Sequence, residues 1–417
     1  MSEIKSIHAR EIIDSRGLPT IEVEVFTILG FTARASVPSG ASTGTYEAHE
    51  LRDNDSKRFF KKGVLKAVKN VNTEIKETIL GFDVKNQKEI DSLLINLDGT
   101  KNKSRLGANA ILAVSLACAK LAAKLLKTPL YKYLGGIHNY LPTPMMNIIN
   151  GGCHSNNNLD FQEFMIVPLG LKNFKNSLRA GCEIFNSLKQ ILIKKKLSIS
   201  VGDEGGFAPD IPSNKDCLDL IINAIENAGY KPGEEIFIAL DVAASEFFSE
   251  KTYKLSGESL NLKGQDLIKY YSNLIANYPI ISIEDGLDEN DWNNWELLTS
   301  EIGSKCQLVG DDLFVTSTDR LNKGIKNHCA NSILIKPNQI GSLTETIETI
   351  ELAKKNNFNT IISHRSGETE DTFISDLSVG ISSGQIKTGS LCRSERIAKY
   401  NQLLRIEDKD PSIEFAG

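Results

Sequence analysis

Three carboxylates stand at the ends of short apolar runs: Asp241 closes IFIALD, Glu284 lies in IISIED, and Asp311 in CQLVGDD. Gathered at one place, three anions repel one another, and the usual resolution is a divalent cation. A ligand set made only of oxygen favours Mg²⁺ over Zn²⁺. Any one of these acids alone reads equally well as a helix N-cap after a strand, a reading that weakens when it must hold for all three. A cationic set follows in the same kind of position: Lys336 ends SILIK, His364 and Arg365 end NTIISHR, and Lys387 lies in SSGQIKTG. Mg²⁺ together with several basic side chains suits a small, multiply charged anion carrying phosphate and carboxylate groups. Lys336 has two readings. Neighbouring cations would lower its pKa and leave a neutral amine able to act as a general base, or it simply pairs with a nearby carboxylate.

Three polar segments come earlier. GGCHSNNNLDFQEFMIVP, residues 151–168, sets His154, Gln162 and Glu163 beside an apolar run. VGDEGGFAPD, residues 201–210, places Asp203 and Glu204 before a Gly-Gly turn. GDEGG read by itself is a polar turn, but beside the other charged groups Glu204 becomes a candidate proton donor. SGASTG, residues 39–44, has two glycines for backbone freedom and three hydroxyls that can bind a cation or an anion.

These side chains need a scaffold that brings strand ends together. From Glu284 onward they recur about every 23 to 28 positions, with helical patterns such as SLTETIETIELAKKN between them. That spacing fits a strand, a helix and two loops, so the segment reads as a train of βα units. Continuous apolar strands imply a parallel sheet buried on both faces, and six or more such units suit a closed barrel. In a barrel the C-terminal strand ends carry the active site. An open doubly wound sheet would want a G-x-G-x-x-G after its first strand, and none is there. Upstream, IEVEVFTI alternates as a half-buried strand, and VLKAVKNVNTEIKETIL and ANAILAVSLACAKLAAKLLK read as helices, the second apolar on most faces. The turn-rich TPLYKYLGGIHNYLPTP marks the division, giving an α+β unit over residues 1–134 and a barrel over 135–417.

Composition narrows the classes. At 417 residues, 41% hydrophobic and 24% charged, the chain expects two or three ordered domains. A formal net charge of −5 gives no footprint for nucleic acid. Seven scattered cysteines without a C-x-x-C pair point to a reducing, cytoplasmic setting. No signal-type N-terminus is visible, no apolar run is expected to reach membrane-spanning length, and no membrane partner is expected.

SGASTG, NGGCHSNNNLDFQEFM, GDEGGFAP, ALDVAASEF, SIEDGLDENDW, VGDDLFVT, KPNQIGSLTET, SHRSGETEDTFI and GQIKTG, with RSERIAKYNQLLRIE, resemble enolases in order and spacing across essentially the whole chain. The resemblance implies an N-terminal α+β domain followed by a barrel that opens ββαα before six βα units. It implies Mg²⁺-dependent interconversion of 2-phosphoglycerate and phosphoenolpyruvate in glycolysis and gluconeogenesis, two Mg²⁺ per site, and a homodimer or in some members an octamer. Carried over by position, Asp241, Glu284 and Asp311 hold the structural Mg²⁺ and Ser39 binds the second. Lys336 removes the C2 proton, and Glu204, supported by Glu163, protonates the leaving hydroxyl. Gln162, Arg365, Ser366 and Lys387 contact substrate, and His154 and His364 line the pocket, His364 among the catalytic groups. SGASTG would then be a lid that closes over substrate. Two rivals are a related barrel acting on a non-phosphorylated carboxylate and a non-catalytic structural or surface-receptor role; the filled positions at Ser39, Arg365, Ser366 and Lys387 weigh against both.

Overall fold

The computed structural model describes residues 2–41, 44–135 and 139–417 of the chain. The N-terminal part is built on an antiparallel sheet in the order β1 (Ile4–Ile13), β2 (Pro19–Thr27), β3 (Thr32–Ser36). Alternation in β2 separates its faces: Ile21, Val23 and Val25 are buried, while Glu22 and Glu24 pair with Arg10 of β1 at 2.6 and 2.7 Å. The expected helix over 64–80 forms with a π-helical middle, Val71–Ile75, and buries Ala67, Val71, Ile75 and Ile79 at four-residue steps. From that middle, Asn72 exchanges two hydrogen bonds with the main chain of Ala9.

Helix α1 (Ala108–Leu125) corrects one expectation. Its mean hydropathy is 1.5 over 18 residues, so it does reach membrane-spanning length and apolarity; 83% of it is nonetheless buried within the protein. Alanines on several faces let it pack against β2 and β3 on one side and other helices elsewhere. The turn-rich boundary segment also contains a short helix, Leu130–Gly135. Glycine is needed at 135 because a Cβ there would meet the carbonyl of Gly380 on a crossing helix.

Eight strands then close a barrel: β4 (Thr143–Asn150), β5 (Glu163–Val167), β6 (Phe237–Asp241), β7 (Ile280–Glu284), β8 (Gln307–Gly310), β9 (Ser332–Ile335), β10 (Asn359–Ser363) and β11 (Gly384–Lys387). Strand β5 runs antiparallel to both β4 and β6, and helices α2 (Phe174–Lys194) and α3 (Asn214–Asn227) lie between β5 and β6. All later neighbours are parallel, and β11 returns to β4. This is the ββαα(βα)₆ order, and the regular repeat is visible in sequence only after the reversed strand. Inside the barrel Met145, Met165, Val167, Ala239, Val309, Leu334 and Ile361 form a core of their own, separate from the large cluster outside it. The short segment near 249–262 forms a small antiparallel sheet instead of a long loop.

The N-terminal part is fastened to the barrel by a charged joint. Lys120 of α1 donates to both oxygens of Asp371 at 2.6 Å, and Asp371 also accepts the main-chain N–H of Ser36 (3.0 Å) and of Phe373 (2.9 Å). Burial alone would raise the Asp371 carboxyl, but Lys120 and these N–H donors hold it below the usual range. Asp371→Asn is expected to destabilise the protein by roughly 2–4 kcal/mol, because Lys120 would remain largely buried without a counter-charge. Urea unfolding compared with Lys120→Met and the double variant checks this: the double variant should recover part of the loss.

Candidate active site

The barrel places the charged residues at one rim. Asp241, Glu284 and Lys387 are the last residues of β6, β7 and β11, while Asp311, Lys336 and His364 immediately follow β8, β9 and β10. Glu163 reaches the same rim from the opposite direction, since β5 is reversed and its first residue pairs with Asp241. Glu204 lies on the loop between α2 and α3, folded back over the barrel mouth. Ser390 N–H donates to its carbonyl, and Gly205 turns at φ +90°, where a side chain would be strained.

Lys387 is buried among acids. Its ammonium donates to Asp241 Oδ2 at 2.8 Å and to both Glu284 oxygens at 3.0 Å, and lies 3.2 Å from Glu163 Oε1. Burial favours the neutral amine, yet Asp241, Glu163 and Glu284 raise its pKa well above the ordinary value. Lys336 Nζ contacts Asp311 Oδ2, and Gln339 donates to the other oxygen at 2.8 Å. The expectation that neighbouring cations depress Lys336 is not met. Burial and Arg365 do pull it down, but direct contact with Asp311 outweighs them and its pKa is raised.

The acids at the mouth outnumber its cations. Glu284 is pushed well above the carboxylate range by burial and by Asp241 and Asp311, although Lys387 opposes this. Asp285 is raised well above by burial and by Asp312, and Asp312 is pushed up to about 8 by burial and by Asp311. An excess of buried, all-oxygen carboxylates is the donor chemistry of a hard divalent cation; Asp241, Glu284 and Asp311 supply such oxygens at three successive strand ends, where Lys387 and Lys336 contact them. The acids here whose oxygens lie within 4.8 Å of one another are Asp285, Asp311 and Asp312. Both Asp285 oxygens, however, accept N–H groups, from Asp311 (2.9 Å) and Asp312 (2.7 Å), so that side chain orients the acids after it.

Glu163, Glu204 and His154 form a second cluster, with one ligating atom of each within 4.8 Å of the others. Burial and the neighbouring Glu204 raise Glu163 well above the usual range. Burial would raise Glu204 too, but His364, His154 and Arg396 hold it well below. These opposite shifts favour Glu163 as the protonated acid of the pair and Glu204 as the carboxylate. His364 is held well below its ordinary value, chiefly by burial.

Arg365 forms a bidentate pair with Glu47, at 2.9 and 3.1 Å, and reaches Asn338 Oδ1 at 3.2 Å. Ser366 Oγ is 3.4 Å from His154 Nε2, and Gln162 donates to Asp241 Oδ2 at 3.1 Å. The cavity between these groups is about 20 Å³, space for a single water. Ser39 is engaged with its own neighbours. Its hydroxyl donates to Asp14 and accepts from Arg16, at 3.2 and 2.9 Å, and its main chain pairs with Gly367. Of SGASTG, residues 42 and 43 lie outside the described residues, so the lid reading has no structural description there.

Residues 4–134 match the family description "Enolase, N-terminal domain", and residues 138–417 match "Enolase, C-terminal TIM barrel domain". The chain belongs to the enolase family. It is accordingly assigned to the enolase-type lyases acting on a small molecule.

Several residues that contact the candidate groups escaped the sequence reading: Glu47, Asp285, Asp312, Gln339 and Arg396. Asp285 and Asp312 were the second letters of ED and DD at strand ends, the one local signal available. Glu47, Gln339 and Arg396 meet their partners only through space.

The buried neutral His364 has a measurable consequence. Its folded pKa lies below its unfolded value of about 6.5, so below that pH the unfolded chain takes up a proton that the folded chain refuses. This contribution to stability is fully present above pH ~6.5 and is lost as pH falls toward the folded value, at up to about 1.4 kcal/mol per pH unit. Urea unfolding of His364→Gln at stepped pH should show a shallower fall below pH ~6.5 than wild type.

Proposed function

We propose that the protein reversibly dehydrates 2-phospho-D-glycerate to phosphoenolpyruvate, the glycolytic and gluconeogenic reaction, with Lys336 removing the C2 proton and Glu204 protonating the departing C3 hydroxyl. The observation that carries this reading is the facing of two buried groups across one small mouth. On one side is an amine beside metal-type carboxylates; on the other is a carboxylate pair sharing a proton. Removing a proton beside a carboxylate doubles the charge on that carboxylate. Magnesium held by Asp241, Glu284 and Asp311 would supply Lewis-acid stabilisation of that charge.

The protein's own groups do the rest. Lys336 must enter neutral, so its ion pair with Asp311 has to open before Nζ can accept a proton. Lys387, firmly cationic, offers a fixed positive charge to the developing anion. Arg365 presents a planar fork suited to phosphate once Glu47 lets go of it. The proton that the resting pair favours on Glu163 has to move to Glu204, which then passes it to the hydroxyl, which leaves as water. Gln162 fixes Asp241, and Ser366 with His154 lines the approach. We place the enzyme in the cytoplasm, as a homodimer; the compartment rests on seven cysteines that are all unpaired.

Separation of the two proton transfers tests the mechanism. Lys336→Ala should abolish exchange of the C2 proton with solvent, followed by proton NMR in deuterated buffer with Mg²⁺; near-normal exchange removes the assignment. Glu204→Gln should keep exchange while phosphoenolpyruvate formation, read by ultraviolet absorbance, falls by about 10²–10⁴-fold. Loss of both activities in a folded Glu204→Gln would show that its role is wider. Chelation of divalent ions should silence the wild-type protein, and added Mg²⁺ should restore it.

A further inference from the structure

Arg396 lies in the first turn of α4 (Ser394–Lys409) and is wholly buried, an unusual fate for an arginine. Its guanidinium has two targets, the loop that carries Glu204 and the loop that carries His364 to Ser366. Nη1 donates to His364 Nδ1 and to Arg365 O, each at 2.5 Å; Nη2 donates to Ser366 O at 2.5 Å and to Asp203 O at 3.2 Å. One turn further on, Lys399 holds the same loop by donating to Glu368 Oε2 (2.9 Å) and Thr369 O (2.6 Å).

A guanidinium carries five donors and no acceptor. The contact with Nδ1 is therefore a hydrogen bond only if that nitrogen offers a lone pair, which puts the ring hydrogen on Nε2. That Nε2 is buried, makes no hydrogen bond within the protein, and lies 3.5 Å from Glu204 Oε2. The ring also holds less positive charge than a free imidazole would, since burial and the adjacent Arg396 disfavour protonation.

We propose that Arg396 is a positioning residue that locks His364 as the Nε2–H tautomer, so that His364 serves as a hydrogen-bond donor toward Glu204 and not as a proton acceptor. This rests on the reading of Glu204 as the acid that protonates the leaving hydroxyl. As Glu204 passes on the proton it has taken from Glu163 it returns to a carboxylate, and an N–H already aimed at it strengthens into a charge-assisted hydrogen bond. The proton moves from Glu204 to the hydroxyl oxygen and the C–O bond breaks; His364 contributes its hydrogen bond and keeps its proton. A freely rotating or Nδ1-protonated ring would turn a lone pair toward the newly formed anion and oppose the step.

The test begins with the wild-type full chain labelled with ¹⁵N-histidine. The chain has six histidines, and the His364 signals are identified by their loss in His364→Gln. Long-range ¹H–¹⁵N correlation at neutral pH should show Nε2 protonated and Nδ1 unprotonated. A ring protonated on Nδ1, or charged, overturns the proposal without any variant having to fold. Arg396→Lys keeps the charge but loses the fork. In it the His364 tautomers should mix, and kcat for phosphoenolpyruvate formation should fall about a hundredfold. KM should stay within about threefold, with C2 exchange retained. An unchanged tautomer and kcat in folded Arg396→Lys would overturn the proposal. A wild-type protein that shows the tautomer yet makes no phosphoenolpyruvate would remove the assigned reaction and leave the role of Arg396 in fixing His364 standing.

Discussion

One ammonium group, that of Lys387, is shared among Glu163, Asp241 and Glu284, and the rim of the barrel is arranged around it. Three strand-end carboxylates in a dry cavity repel each other strongly, and a single exposed lysine would do little to offset that. Lys387 offsets it because it too is buried, so its charge acts at low dielectric on all three acids at once. The register makes this possible. Asp241 pairs with Glu163 on one side and with Glu284 on the other, which aligns three acids along one edge of the barrel mouth, while β11 presents the lysine among them. A shift of one residue in β5 would turn Glu163 to the opposite face of the sheet and leave the rim an acid short.

The second structural centre is the loop after β10. It is gripped from below by Arg396 and Lys399, from within by Glu368, which accepts the Arg365 N–H at 3.1 Å, and from the N-terminal part by Ser39 against Gly367 and by Lys120 of α1 against Asp371. Most of the charged and hydroxyl residues in SHRSGETED thus have a bonded partner, exposed Glu370 apart. The polar side chains hold one another and the neighbouring units, leaving Arg365, His364 and Ser366 fixed at the mouth. It also explains why the N-terminal part bears on the chemistry at all, since Glu47 and Ser39 both act on this loop.

The barrel was legible in the sequence because its strands are buried on both faces and its chemistry sits at their ends. IFIALD, IISIED and SILIK each announce a strand and its terminal residue together. The reversed β5 was not legible from periodicity, since strand direction leaves no mark in a five-residue apolar run. It entered through family resemblance. The partners of Ser39 were illegible for a related reason: a serine in a Gly-rich loop carries no sign of which neighbour will claim its hydroxyl, and Asp14 and Arg16 do so from a loop 25 and 23 residues away. For Lys336 the sequence left a depressed pKa and an ion pair both open, because it shows the cations nearby but not that Asp311 would be in direct contact. Arg396 was visible only as part of a string, its four acceptors being spread over two loops nearly 200 residues away or about 30.

The pairing of Arg365 with Glu47 bears on which molecules the mouth can accept. A buried guanidinium stripped of its partner costs several kcal/mol, so Arg365 cannot simply be vacated by Glu47. An incoming group that is itself an anion can take over both N–H bonds as Glu47 withdraws, and the arginine is then never left unpaired. A neutral group of the same size would leave Arg365 and Glu47 both uncompensated. The cavity beside Arg365 has space for about one water, so such an exchange has to be accompanied by movement of Glu47 and its segment. Glu47 and Asn338, which hold Arg365, also line an outer cavity together with Arg16 and Arg52, so the path inward passes further positive charge. Preference for an anionic group at Arg365 therefore follows from desolvation as much as from attraction: an anion can open the pair without stranding a buried charge.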